Sequence, residues 1–549
     1  MDRAIDSSNS LRVAALTVLI GALAQFAPGA VPMKYNFSST PIAGFQTITP
    51  TTPAYSAAQG YGFDFKTNTL VQYTPSKDGI EGKTAGKNPY NWTGDPFYYP
   101  LNNALFFSVA VPEGNYEVKL TLGSKDYNVQ ATIRAEQRRL MIEGWQIPAG
   151  QTAVRTFHVN RRSTTSATGG KISTTGREAT YVDLDNMLTI EFNGNRPVIQ
   201  QMEITPVDTS ITVYLCGNST LVDQPQEPWS TWGMNFPRFF KAGVSIADQA
   251  ESGLASSSFI GEGRLNYVTS YLKPTDYVFV EFGHNDMKVY GAPQFKTYLL
   301  QFISAVKAKK ANIVLVSPTA RLSFSGTKAA NTLGAFPDTM RAVAAENGIP
   351  FIDLNAMSSR FIEALGPSNA SKAYTHFPAN TVPGQTSALA DNTHWNDYGG
   401  YELAKAMATQ IKVQNFTFAK FLSDDYAAFD PSKPDPYATF QLPFSPFLGV
   451  FVKPDSLVTT RLAPALLGKG SDHIVSSSFH NGTLSLRMAG AQDGLEARVV
   501  DLDGSLVASS LLHGQGETLI QAPHGFANRI HVIEIVRDGV IIDEQKVMP

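Results

Sequence analysis

From about residue 35 to residue 205, apolar positions recur at every second residue in short runs broken by Gly, Pro and Asn. That period belongs to strands. Phe107, Val109 and Val111 alternate with other residues, Pro112 to Asn115 supplies a turn, and Tyr116, Val118, Leu120 and Leu122 resume the alternation, which predicts a hairpin in a half-buried sheet. Leu188, Ile190 and Phe192 alternate ahead of Asn193-Gly194, and the Ser/Thr/Gly-rich stretch 163–175 predicts a mobile loop. The economical arrangement is a β-sandwich. At Ile211 the texture changes: continuous apolar runs at 211–216, 244–247, 277–282, 313–316 and 351–354 alternate with helical periods. The clearest helix puts Phe295, Tyr298, Leu299, Phe302, Ile303 and Val306 on one face, and the last helix covers 398–411. Apolar strands separated by amphipathic helices predict a parallel sheet covered on both faces, with ligands beyond the C-terminal ends of the strands. Pro431, Pro434, Pro436, Pro443 and Pro446 then predict a stiff linker. Asn481-Gly482, Asp503-Gly504 and Asp538-Gly539 each separate short alternating runs, predicting a small β domain at the tail.

With 549 residues the chain exceeds one hydrophobic core, and the predicted units are 1–30, 31–208, 209–416, 417–448 and 449–549. The first is expected to be a signal peptide, because Arg3 and Arg12 precede a short apolar run from Val13 to Ala24 and small residues near Ala30. Secretion, or a periplasmic or cell-surface location, follows, with no membrane association after its removal. A formal charge of -3 lacks the concentrated Lys/Arg surface that nucleic acid requires. The single cysteine, Cys216, excludes an intramolecular disulfide and sits in an apolar run that predicts a buried strand.

Polar residues gather where the predicted strands end. Gly217-Asn218-Ser219 follows the first strand, and Ser219 there is either a nucleophile or a helix N-cap. Ala250-Glu251-Ser252-Gly253 follows the second, where a glycine permits the bend that aims an N–H inward, or an ordinary turn. Gly283-His284-Asn285-Asp286 follows the third and offers a side-chain amide donor in Asn285. Asp391 and His394 stand three residues apart before the last helix, a spacing that suits an acid orienting its own base, a metal half-site or a capping turn. Serine needs an imidazole to remove its proton, and the imidazole needs a carboxylate to fix its tautomer.

This ordered set resembles the blocks of the SGNH, or GDSL-like, hydrolases, with Asn218 in place of the usual aspartate. The resemblance spans roughly 211–415 and implies a flavodoxin-like three-layer α/β/α domain in which Ser219, Asp391 and His394 are catalytic. It also implies an oxyanion hole of Ser219 N–H, Gly253 N–H and the Asn285 amide, and no cofactor or metal. Within that group the runs Glu227-Pro228-Trp229, Trp232-Gly233, Gly261-Glu262-Gly263-Arg264 and Thr393 to Gly399 are similar to rhamnogalacturonan acetylesterases. Residues 34–37 and 60–64 resemble the galactose-binding-like β-sandwich that precedes the esterase in some members.

The implied reaction removes acetyl groups from a plant cell-wall polysaccharide, rhamnogalacturonan I first among them, with acetylxylan and other acetyl-glycans as alternatives. Trp229, Trp232 and Trp395 are candidate sugar platforms, and Arg264, Lys288 and Arg321 candidate partners of a uronate carboxylate. A lipase or thioesterase on the same fold and an inert carbohydrate-binding protein are the rival readings. No oligomeric state follows from the sequence.

Overall fold

The computed structural model describes residues 33–83, 85, 104–174, 178, 181–381 and 386–445, and beyond them the strands between 473 and 547. The expected leader at 1–30 and the tail's three predicted turns lie outside the described residues.

The first unit is two sheets packed face to face. One is seven-stranded and runs through Gln151–Arg161, Gly114–Ser124, Ile199–Pro206, Lys34–Asn36 and Gln46–Thr47, with Val71–Tyr73 and Ile80–Gly82 attached. The other orders Tyr61–Asp64, Leu105–Ala110, Met187–Arg196, Val129–Ala135 and Arg139–Ile147. Phe107, Val109, Val118, Leu120, Leu122, Leu188, Ile190 and Phe192 all face the core between them, so the alternation identified the buried face correctly. It did not identify partners. Leu105–Ala110 pairs within the five-stranded sheet and Gly114–Ser124 within the seven-stranded one, so residues 112 and 113 arch between sheets where a hairpin was expected. Asn193-Gly194 likewise sits within a strand, at a register shift between Asn193 and Arg196. Gly194 has φ +114 there, and a Cβ would fall 2.5 Å from the Gln130 carbonyl, which is why a glycine occupies this close approach.

The second unit is a five-stranded parallel sheet of β1 (Ile211–Cys216), β2 (Val244–Asp248), β3 (Tyr277–Val280), β4 (Asn312–Val316) and β5 (Phe351–Ile352), ordered β2-β1-β3-β4-β5. This is the flavodoxin-like order, whose switch point lies between β1 and β3. The helices are α1 (Trp232–Asn235), α2 (Ser256–Gly261), α3 (Arg264–Tyr271), α4 (Asp286–Val289), α5 (Ala292–Ala308), α6 (Phe336–Asn347), α7 (Leu354–Leu365) and α8 (Asp397–Val413). Successive strand residues serve opposite faces: Val213 and Leu215 join the core under α1, α7 and α8, while Tyr214 and Cys216 join the core under α2, α3, α5 and α6. Phe295, Leu299, Phe302, Ile303 and Val306 are the buried stripe of α5, as their spacing predicts.

Two expectations about connections are corrected. Residues 417–445 are no linker, since Phe418, Leu422, Phe429, Phe440 and Leu442 are buried in the α8 core and Tyr398 donates its hydroxyl to the Asp435 carbonyl at 2.7 Å. The prolines stiffen a packed strap. The loop after Arg161 is seated on α3 and the turn before it, where Ala167 N donates to Ser270 Oγ at 2.9 Å and Ser173 N to the Glu262 carbonyl at 2.9 Å.

The tail forms a three-stranded sheet (His473–His480, Thr483–Ala489, Glu517–Gln521) and a four-stranded one (Leu506–Leu512, Leu495–Asp501, His531–Arg537, Val540–Val547), all antiparallel. Leu486, Leu495, Ala497, Val499, Leu512, Ile533 and Ile535 are buried among them.

Candidate functional site

Ser219 lies three residues past β1 in a turn closed by the amides of Leu221 and Val222 on the Asn218 carbonyl, both at 3.0 Å. No helix starts at Ser219, so its hydroxyl is not an N-cap. Asn218 is fully buried, and its Oδ1 accepts from Thr220 N at 3.2 Å and Thr220 Oγ1 at 3.1 Å. Those are bonds an aspartate oxygen would also accept, so the Gly-Asn-Ser departure preserves this turn.

Beneath the turn, Glu281 is fully buried and accepts from Thr220 Oγ1 at 2.8 Å and Trp232 Nε1 at 2.6 Å. Burial pushes its carboxyl up to about 7, against the lowering effect of those two donors.

Asp391 and His394 lie on a strand, Leu389–Trp395, paired with Tyr374–Phe377. The His394 Nδ1 to Asp391 Oδ2 distance is 2.6 Å, and His394 Nε2 to Ser219 Oγ is 2.7 Å. Asp391 Oδ1 also accepts the amides of Thr393 and His394 at 2.8 and 3.0 Å. Burial raises the Asp391 carboxyl, but the hydrogen bond and charge of His394 and these two amides hold it well below the usual carboxylate range. Hydroxyl, imidazole and ionised carboxylate thus stand in one line, an arrangement that turns a hydroxyl into a nucleophile.

The turns that carry the expected anion-stabilising groups are tied together by hydrogen bonds. Glu251 N donates to the Gly217 carbonyl at 3.3 Å, and Asn285 Nδ2 to the Leu254 carbonyl at 3.1 Å, so the turns after β1, β2 and β3 form one rim. Gly253 is exposed on that rim with φ +85, a conformation a side-chain-bearing residue adopts only with strain. Asp286 locks it from below, accepting Gly283 N at 2.9 Å with one oxygen and Ser256 N at 2.8 Å with the other. His284 is buried beside Asn285; burial first, then the charges of Arg321, His394 and Lys288, push its imidazole down to about 3, leaving it neutral.

The six candidate sugar contacts divide. Trp232 and Trp395 are fully buried: the first serves Glu281, and the second stacks on Tyr374 at 4.0 Å between ring centroids and donates to Thr319 Oγ1 at 3.1 Å. Arg264 is also fully buried, paired with Glu178 at 2.5 Å and Glu262 at 2.6 Å. None of these three can reach a polymer. Trp229 is half-buried with its Nε1 3.5 Å from Asp391 Oδ2, Lys288 is exposed with Nζ on Asn285 Oδ1 at 3.0 Å, and Arg321 is half-buried with NH2 3.3 Å from the His284 carbonyl.

Residues missed from the sequence include Gln224, whose Nε2 donates to the Ser219 carbonyl at 2.8 Å, and Arg138 and Arg139 of the sandwich, which hold the loop that carries Gln224. The only signal for the latter was a run of charge, Arg134 to Arg139, inside an apolar strand pattern.

Among the described residues no group of three or more His, Cys, Asp or Glu side chains is placed to hold a metal ion. Among the same residues, no helix is long and apolar enough to cross a membrane.

The GDSL-like Lipase/Acylhydrolase family matches residues 210–400. Rhamnogalacturonan acetylesterase RhgT of Bacillus subtilis (strain 168) is 35% identical over 208 residues, covering 37% of this chain and 90% of the relative. The uncharacterized esterase YxiM of the same organism is 26% identical over 372 residues, covering 66% of this chain and 85% of that one. The crystal structure of YxiM aligns with 70% of this chain and 99% of its own at 21% identity and a TM-score of 0.36. With RhgT matched over 90% of its length at 35% identity and the family's blocks at the ends of β1, β2 and β3, the chain belongs to the GDSL-like lipase/acylhydrolase family and is a carboxylic ester hydrolase.

Proposed function

We propose that this enzyme is a secreted carbohydrate O-acetylesterase acting on pectic polysaccharide, rhamnogalacturonan I first, through an acyl-enzyme on Ser219. The observation that carries the mechanism is the line from Ser219 Oγ through His394 to Asp391, at 2.7 and 2.6 Å. Ser219 Oγ attacks the acetyl carbonyl carbon as its proton passes to His394 Nε2. The sugar oxygen then leaves with that proton, giving an acetyl-enzyme. Water attacks the ester next, giving its proton to His394, and acetate departs as Ser219 recovers it. The N–H groups of Ser219 and Gly253 and the Asn285 amide receive the oxyanion, a contribution of about 3–4 kcal/mol per donor in such chemistry.

The choice of polymer is supported by the relative named a rhamnogalacturonan acetylesterase. Trp229 at the rim offers a sugar face, and Lys288 and Arg321 a uronate carboxylate. Export is supported by the charged and apolar pattern of residues 1–30. The paired sheets of the first unit support a galactose-binding-like module at 31–208, and the tail a separate β domain from 449.

Acetate release from acetylated rhamnogalacturonan, xylan and homogalacturonan, measured in parallel for wild type and Ser219→Ala, tests the reading. Rhamnogalacturonan is expected to be fastest and Ser219→Ala inactive. Activity surviving in the variant removes Ser219 as nucleophile, and preference for xylan replaces the polymer. A preference for butyryl or longer esters over acetyl moves the enzyme to a lipase or thioesterase.

A further inference from the structure

The strands Val129–Ala135 and Arg139–Ile147 of the sandwich are joined by a three-residue tip that enters the α/β unit. Glu136 and Arg138 of that tip have φ 55 and 66, two non-glycine residues in the left-handed region within one turn. Strain of this kind persists only where the surroundings enforce it and is concentrated at functional places. What enforces it here is a set of buried contacts to residues 223–229, the loop that follows the Ser219 turn. Gln137 Nε2 donates to the Asp223 carbonyl at 2.6 Å and Arg139 Nε to Asp223 Oδ2 at 2.5 Å. Arg138, 3% exposed, donates through NH1 to the carbonyls of Gln224 at 3.1 Å and Trp229 at 2.8 Å, while NH2 pairs with Glu227 at 2.6 Å and Asp397 at 3.6 Å.

The two carbonyls that Arg138 grips belong to loop residues bonded to Ser219 and Asp391. Gln224 donates from its side chain to the Ser219 carbonyl at 2.8 Å, and Trp229 points its indole N–H at Asp391 Oδ2, 3.5 Å away. One planar guanidinium therefore sets the spacing between the loop's grip on Ser219 and its grip on Asp391. A lysine ammonium would keep one positive charge, but is not a fork that holds the two carbonyls on one nitrogen while its other nitrogen pairs with Glu227 and Asp397.

We propose that Arg138 is a positioning residue of the esterase site, by which the sandwich domain holds Ser219 and Asp391 in register through the 224–229 loop. The sandwich is then part of the active-site framework in addition to any binding role. The proposal rests on the acyl-enzyme reading above, and Ser219→Ala measured alongside separates the two: full activity in that variant is a failure of the reading, not of Arg138.

The test uses the full-length chain with an aryl acetate, whose small size keeps polymer binding out of the comparison. Arg138→Lys and Arg138→Met are assayed for kcat and KM and followed by thermal unfolding, with Trp229→Phe and the Arg138→Lys/Trp229→Phe double variant. In Arg138→Lys we expect unfolding near that of wild type with kcat reduced on the order of 100-fold and KM within about 2-fold, since displacing a reacting group by about an ångström costs that much. The double variant is expected to lose little beyond the larger single loss, because both changes act through one loop. A folded Arg138→Lys with wild-type kcat, or losses that multiply in the double variant, overturns the proposal. If neither Arg138 variant folds, Gln224→Ala and Trp229→Phe carry the test: a kcat loss in both supports it, and wild-type kcat in either overturns it.

Discussion

The indole N–H of Trp232 meets the buried carboxylate of Glu281 at 2.6 Å, directly under the turn that presents Ser219. Trp232→Phe keeps most of the ring volume but strands that acceptor, which costs about 1–3 kcal/mol when buried. Its pH dependence gives the effect a signature. Glu281 has a folded pKa raised to about 7, above its ordinary 4.5, so the folded state binds the proton more tightly than the unfolded one. Stability contributed by the protonated form is therefore full below about 4.5 and declines as pH rises through 7. Removing a donor that lowers the pKa extends the decline to higher pH. Thermal unfolding of both proteins from pH 4 to 9 is expected to show the gap widening toward alkaline pH, and a constant gap would refute the assignment.

Asp391→Asn tests the other end of the line. An amide can turn its NH2 toward His394 Nδ1 and so favour the tautomer in which Nε2 carries the proton and cannot take one from Ser219. A fall of about 10⁴-fold in kcat is expected for an aryl acetate, with KM little changed. Because Asp391 is held below its ordinary 3.8, its charge is constant across the neutral range. The contribution of the ionised carboxylate to stability is present above that ordinary value and lost only as pH falls through its lower folded pKa. An Asn variant retaining wild-type kcat would remove Asp391 from the mechanism.

Arg264 and the pair Lys288 and Arg321 separate structure from substrate. Arg264 is fully buried between Glu178 and Glu262, and Arg264→Leu removes the cation of a buried ion pair, a loss of about 3–5 kcal/mol. Its folded fraction should keep the wild-type KM for the polymer. Lys288→Ala and Arg321→Ala are expected to leave unfolding within about 1 kcal/mol, as befits groups outside the core. They should raise KM for acetylated rhamnogalacturonan several-fold and not for a neutral aryl acetate. Equal KM on both substrates would take these two cations out of polymer recognition.

These contrasts also mark what the sequence could carry. Ser219 and Asn285 were legible as candidates because polar residues stand where apolar strand runs stop and the parallel sheet brings those ends together, and Asp391 and His394 because of their spacing of three before α8. Arg264, Trp232 and Trp395 misled because residue type carries no exposure: their partners Glu178, Glu281 and Thr319 lie 86, 49 and 76 positions away. The arch at 112–113 was read as a hairpin because alternation reports the buried face and not the neighbouring strand. In the strap at 417–445 the prolines were given more weight than Phe418, Phe429 and Phe440, which supply its contact with the core. Arg138 showed only as part of a run of charge in an apolar strand pattern, since the partners of a buried charge are brought in by another domain.

Gly253 offers a test of the rim that does not touch the line of Ser219, His394 and Asp391. Its φ of +85 is unfavourable for alanine, yet a Cβ built there meets nothing within 4 Å. Any loss in Gly253→Ala therefore arises from the backbone and not from a clash, a strain of about 1–3 kcal/mol that the chain relieves by rotating the peptide. With the Gly253 N–H as the proposed oxyanion donor, rotation turns it away from the developing charge, whose stabilisation is felt in the transition state and not in the bound ester. We expect kcat to fall by about 10²-fold with KM nearly unchanged, and the same loss in kcat/KM for every acetyl ester tried, since the acetyl carbonyl is common to all of them. A variant whose loss appears in KM, or only with the polymer, would place Gly253 in substrate binding instead.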